Sequence, residues 1–312
     1  MAEQHVARGA AAGELAGAQA ADRLTELAEE RREAQGNRFW RRLKAEKKAF
    51  LGLFFVGFLA LIAVFGPYLA PYDPRADDFN LLEGPSLRHP MGTDSFGRDL
   101  FSRVLVGTRV SFVVGVVAAL ISMVVGVTIG VVAGYYRGWV DSVLMRFIDM
   151  LWAFPGIILA MALVAIYGAG MKNVILAIAV ANVIAFSRIV RGQVLSLRED
   201  DFTTAARAIG VRDGRIMLRH ILPNVSAPII VQVTLTVGLG IIAETGLTFL
   251  GLGVDPSTPT WGQALNESRN FIRQAWWLAV FPGLAIGFTV LSLNLFGDGL
   301  RDALDVKGVN QT

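Results

Sequence analysis

The sequence predicts an all-α integral membrane protein built on six transmembrane helices. Composition is the first sign: 54% of the 312 residues are hydrophobic and only 18% are charged, where a soluble domain carries about a quarter charged residues. The second is distribution. The apolar residues are gathered into six runs, each close to the roughly 20 residues that cross about 30 Å of hydrocarbon. The third is the placing of amphipathic rings, which prefer the membrane interface. Tyr68, Tyr72, Tyr135, Tyr136, Trp139, Trp152, Tyr167, Trp276 and Trp277 all fall near the ends of runs.

In order, the chain opens with a cytoplasmic segment, 1–48. Residues 1–36 are rich in Ala, Glu, Gln and Arg, with no apolar core and no small-residue cleavage pattern. No cleavable signal peptide is expected there. The stretch Glu14–Gln35 reads as disordered or as a loosely held surface helix. The membrane domain covers 49–307, with helices expected at about 49–69, 110–133, 150–167, 174–189, 229–250 and 276–296. The third and fourth runs are short and need tilt or help from flanking turns. A five-residue tail, 308–312, ends the chain. Run two carries Gly126, Gly130 and Gly134 at four-residue spacing, with Gly115 further back. That stripe predicts close packing on another helix of the same chain.

Lys and Arg orient the bundle. Eight basic residues and two acidic ones lie between Arg31 and Lys48, and seven Arg lie between Arg188 and Arg219. Both stretches share a side with Arg301 and Lys307. The opposite side holds Arg75, Arg88, Arg98, Arg103, Arg109, Lys172, Arg269 and Arg273, eight of the chain's 29 basic residues. Both termini are therefore expected in the cytoplasm.

Several chemistries find no support. There is no GxxxxGK[ST] phosphate loop, no HExxH and no GxSxG elbow. Cysteine is absent, so disulfides and thiolate metal sites are excluded. His5, His89 and His220 are far apart and lie outside the runs. Inside the runs stand Glu244, Asn182 and Asn294, candidates for lining a translocation path. An intramembrane carboxylate is costly and marks either a wet cavity or a bond to a neighbouring helix. Asn182 and Asn294 also suit packing hydrogen bonds of about 0.6 kcal/mol each. Arg146 and Asp149 are three apart, which predicts a local ion pair.

The stretch from Arg188 to Pro228 is longer than a connection requires. Asp200 or Asp201 can cap a short helix over Phe202–Ile209, and Gly210 can end it in a left-handed turn. Ala205 and Ala206 give that helix a small-residue face for a close partner. A second, Arg-studded helical piece is expected from Gly214 to Leu222, ending at Pro223.

Thr204-Ala205-Ala206, Gly210 and Leu222-Pro223 resemble the EAA loop of ABC importer permeases. Thr204 stands where that family often has Glu, so no ion pair is implied there. Four more stretches resemble the dipeptide and oligopeptide branch: His89–Arg103 with Gly107–Phe112, Trp139–Asp149 with Phe154-Pro155, Thr248–Val254 with Pro259–Gly262, and Phe281–Gly283 with Asn294–Asp305. The last stretch, with the long N-terminal segment, is similar to the C-type subunit. The resemblance covers roughly residues 45 to 307.

It implies a type I importer permease with a cytoplasmic coupling helix, in which Thr204, Ala205, Ala206 and Gly210 contact an ATPase. It implies a bacterial inner-membrane subunit forming half of a path for short peptides. Partners are a second homologous permease, two ABC ATPases, an extracytoplasmic binding protein and the lipid bilayer, with no nucleic acid. ATP and Mg are bound by the ATPases, and this chain has no cofactor or catalytic residue of its own. Related permeases move nickel complexes, glutathione or other small solutes. A stand-alone secondary transporter would run without an ATPase and often shows inverted repeats. A membrane enzyme would need a nucleophile–base or metal cluster. Neither feature is visible in the sequence.

Overall fold

The structure, a computed structural model, describes residues 46–304. The stretch Glu14–Gln35 and the tail 308–312 with Lys307 lie outside the described residues. Among those described, every regular element is helical, and the only β-type pairing is an isolated bridge between Thr93 and Asp99.

The elements are α1 (Lys47–Leu69), α2 (Leu100–Tyr136), α3 (Gly138–Trp152), α4 (Gly156–Tyr167), α5 (Met171–Leu197), α6 (Asp201–Ala208), α7 (Asp213–Ile216), α8 (Leu222–Asn224), α9 (Ser226–Phe249), α10 (Trp261–Ser268) and α11 (Trp277–Leu304). Five of them, α1, α2, α5, α9 and α11, are long and apolar enough to cross a membrane. The pair α3 and α4 is bent by 88° and, taken as one broken span, makes a sixth crossing.

The third run is thus not one straight helix. Met150–Trp152 close α3, and Pro155 stands between it and α4. Proline donates no N–H and disfavours a helical residue before it. The 12 residues of α4 reach only about 18 Å, too short to cross alone. The ion pair expected between Arg146 and Asp149 is also absent. Asp149 pairs with Arg188 of α5, Asp141 takes both the Nε and an amino group of Arg191, and Arg146 is exposed. The Arg188 guanidinium stacks 3.6 Å from the Trp152 ring centre. Two carboxylates of α3 are therefore fastened to two arginines of α5.

Helix α2 starts ten residues earlier than its apolar run, at Leu100 rather than Val110. The cause is a cap. Asp99 accepts hydrogen bonds from the Ser102 N–H at 2.8 Å and the Ser102 hydroxyl at 2.7 Å. Its 37 residues extend about 55 Å. Helix α5 likewise outruns its apolar stretch at both ends, and beyond Ile189 it carries Arg191, paired with Asp141.

The glycine stripe of α2 packs within the chain, against α5. A Cβ on Gly126 would stand 2.5 Å from the Phe186 Cβ, and one on Gly130 would stand 2.7 Å from the Ser187 carbonyl oxygen. One on Gly134 would meet the Val194 Cβ at 2.8 Å. Gly115 serves in the same way against α9, where the Val237 carbonyl oxygen is 2.9 Å from the added atom. Helix α1 lies on α11 through Gly52 and Gly299.

Two residues of the expected aromatic belt are interior instead. Tyr135 is 3% exposed and Trp277 7%. Trp277 donates its indole N–H to the Thr93 carbonyl at 3.1 Å, while Tyr68, Trp139 and Tyr167 are exposed.

Gly130→Leu is expected to force α2 and α5 apart, costing about 1–3 kcal/mol or more as overpacking. The unfolding midpoint in detergent should fall. Gly57→Leu, where an added Cβ meets nothing within 4 Å, should leave that midpoint close to wild type.

Candidate functional site

Helix α6 begins after Asp200, whose backbone carbonyl accepts from the N–H groups of Thr203 and Thr204, while its side chain makes no capping bond. The start is tied down by the Thr203 hydroxyl, which donates to the Leu197 carbonyl at 2.7 Å. Asp201 lies in the first turn and Arg207 in the last, each complementing the helix dipole.

The C-terminal end is a complete Schellman turn. Val211 N–H bonds to the Ala206 carbonyl at 3.1 Å, and Gly210 N–H to the Arg207 carbonyl at 2.9 Å. Gly210 has φ +78°, as a left-handed helix end requires. Space around it is open, so conformation alone selects glycine.

The two alanines face opposite ways. Thr203 and Ala206 are buried, whereas Thr204, Ala205, Ala208 and Ile209 are exposed. Ala206 belongs to a buried cluster with Tyr135, Val190, Val194 and Ile216, against which Val211 packs. Of the residues expected to face an ATPase, Ala206 is buried, and its small side chain lets α6 seat on this chain's own α2 and α5. An outward partner is left with Thr204, Ala205 and Ile209.

The phenol of Tyr135 stands beneath this turn. Its hydroxyl donates to Asp213 Oδ1 at 2.6 Å, and Arg207 Nε reaches the same oxygen at 3.4 Å. The Arg207 guanidinium lies 5.0 Å from the ring centre. Beyond Asp213 the chain does not stop at Pro223. Leu222 N–H bonds five residues back to the Met217 carbonyl, and the widened turn carries the helix into the proline, which has no N–H to donate.

The polar residues inside the runs do not converge. Glu244 is wholly buried and accepts from the Ser111 hydroxyl of α2 at 2.9 Å and from the Thr248 hydroxyl at 3.0 Å. It is a polar bond between α9 and α2. Asn182 donates to the Ile178 carbonyl of its own helix at 3.1 Å, and Asn294 is exposed on α11.

At the far end of α2 the stretch His89–Arg103 builds a cap that the sequence did not reveal. His89 Nδ1 lies 2.9 Å from Asp99 Oδ1, both groups buried. Arg98 and Arg103 together bridge the buried Asp94 to Glu267 of α10. Buried charges persist when paired in this way.

The chain is thus a bundle of helices long and apolar enough to cross a membrane, with a short, glycine-ended helix mounted on two of them. Residues 126–307 match the family of binding-protein-dependent transport system inner membrane components, and residues 35–85 match the N-terminal transmembrane domain of oligopeptide transport permease C. The chain is 50% identical over 271 residues to the glutathione transport system permease protein GsiD of Escherichia coli O6:K15:H31 (strain 536 / UPEC), covering 86% of this chain and 89% of that relative. The same figures hold for the protein of that name from Shigella boydii serotype 4 (strain Sb227). The relative from Shigella dysenteriae serotype 1 (strain Sd197) is 49% identical over the same coverage. This chain belongs to the family of binding-protein-dependent transport system inner membrane components. It is a multi-pass ABC importer permease and a non-catalytic subunit.

Two outcomes are expected. Gly210→Val places a β-branched residue at positive φ, at a cost of about 1–2 kcal/mol. Tryptic cleavage at Arg212 should then accelerate about tenfold, with Gly210→Asn intermediate between the two. Glu244→Gln keeps one acceptor oxygen and replaces the other with an NH2 that can donate to the second hydroxyl, and it should leave thermal stability close to wild type. Glu244→Ala strands both hydroxyls and should lower stability by about 1–3 kcal/mol, measured as the unfolding midpoint in detergent.

Proposed function

We propose that this chain forms half of the translocation path of an importer for short peptides and couples it to ATP hydrolysis elsewhere. A second homologous permease completes the path. Two ABC ATPases hold ATP and Mg, so this chain carries no cofactor of its own. A binding protein delivers substrate from outside. The subunit sits in a bacterial inner membrane with both termini in the cytoplasm, a reading supported by the Lys and Arg asymmetry.

The cargo class draws on two resemblances. The N-terminal match is to an oligopeptide permease domain, and the GsiD relatives carry the name of glutathione transport. Glutathione is itself a tripeptide, so a short-peptide path covers both.

The observation that carries the coupling is the two-faced α6. Its inner face is fixed to α2 and α5, and its outer face presents Thr204, Ala205 and Ile209 beside a rigid glycine turn. An ATPase groove that moves on binding ATP would move α6, and α6 is seated on α2 and α5. Coupling of this kind acts through contacts that differ between the two states.

The chain has no cysteine, which makes the test direct. In the assembled transporter, a cysteine at Ala205 or Ile209 should crosslink to an ATPase subunit, and one at Ala206 should not. Equal crosslinking from all three positions, or none from any, would remove α6 from the coupling role.

A further inference from the structure

We propose that Tyr135 is a positioning residue for energy coupling: its single hydroxyl pins both sides of the Gly210 turn to the end of α2. The proposal rests on the coupling role of α6 given above. Arg207 lies three residues before Gly210 and Asp213 three residues after it. Both meet the same phenol oxygen, at 3.4 Å and 2.6 Å. Tyr135 is the penultimate residue of α2 and is 3% exposed. The oxygen is thus held by a buried ring at the end of the longest helix among the described residues.

The arrangement does more than fill space. Ala206 and Val211 seat the turn by apolar contact, which is non-directional and tolerates sliding. A phenol that donates to a carboxylate and accepts from a guanidinium has direction on both sides. Sliding of the turn along α2 would break one bond or the other. Displacement of Ile209–Arg212 by a partner is therefore passed to Tyr135 as a pull along or across α2. That helix is fixed along its length, by Gly126, Gly130 and Gly134 on α5 and by Ser111 on Glu244. At its other end Arg103 is joined to Asp94 and Glu267. The turn is held to a member that can carry its motion to the opposite end of the bundle. The Arg198 guanidinium also lies 6.0 Å from the same ring centre.

The direct probe is Tyr135→Phe, which keeps the ring and removes both bonds. The reconstituted transporter with its binding protein is given glutathione and, separately, dialanine. Peptide accumulated in vesicles is divided by ATP hydrolysed. The expected result is a ratio lowered about fivefold or more, with ATP hydrolysis itself and the crosslink from a cysteine at Ala205 retained. Asp213→Ala should reproduce the loss. Asp213→Asn, which keeps an acceptor oxygen, should largely restore it. The double variant Tyr135→Phe/Asp213→Ala should be no worse than either single one.

A wild-type ratio in Tyr135→Phe, or a double variant that multiplies the two defects, overturns the proposal. If Tyr135→Phe does not assemble, Asp213→Ala and Asp213→Asn decide it with the native ring in place: equal ratios for those two also overturn it. Loss of the Ala205 crosslink in the otherwise native chain would instead refute the coupling role of α6, a separate failure.

Discussion

The close approach of α2 to α5 is the contact on which the rest of the structure depends. Three glycines at four-residue spacing remove the side chains that would separate the two backbones, and Ser187, Val190 and Val194 fill the space. Lipid is as apolar as leucine, so packing of this kind, and not water exclusion, holds helices together in a bilayer. Once the two axes are this close, Tyr135 and Val194 come together at one end. They form the socket that α6 and α7 occupy. The same alignment brings Arg188 and Arg191 opposite the carboxylates of α3. A shift of one helical turn between α2 and α5 would separate all of these at once.

Much of this was legible in the sequence because it is local or periodic. The apolar runs located the crossings, the glycine spacing announced an intrachain seam, and Gly210 announced a left-handed helix end. Each signal lies within a few turns of the residue it explains. Ala206 is different. In a helix of eight residues neighbouring small residues cannot reveal which of them faces inward. The answer came from the socket, built by residues around positions 135, 190 and 194. The polar pairs are harder still. Arg103 and Glu267 are 164 positions apart and Tyr135 and Asp213 are 78 apart, so no spacing rule connects them. The sequence places Tyr135 and Trp277 at the interface because an aromatic near the end of an apolar run usually lies there. Only the fold shows that their polar atoms have protein partners.

The two ends of α2 are built on different principles. At the His89 end, a loop is fixed by buried charge: Asp94, Arg98, Arg103 and Glu267, with His89 against Asp99. Such a network is costly to open, because each separated charge would be left without its partner. At the Tyr135 end, α6 is held by a small apolar contact, one turn and one phenol. The His89 end is therefore the more firmly anchored end of α2.

The pairing of α3 with α5 also has a consequence for how the chain is made. Asp141 and Asp149 are synthesised 50 and 39 positions ahead of Arg191 and Arg188. Until α5 has left the ribosome, the two carboxylates lack the arginines they pair with in the fold, and α3, which carries them, is ill suited to enter lipid by itself. The segment from Gly138 to Leu197 must therefore be accepted by the insertion machinery as a single hairpin, with its first third waiting at the membrane surface for its last third. Early termination anywhere between α4 and Arg188 would strand α3 there, exposed to quality-control proteolysis.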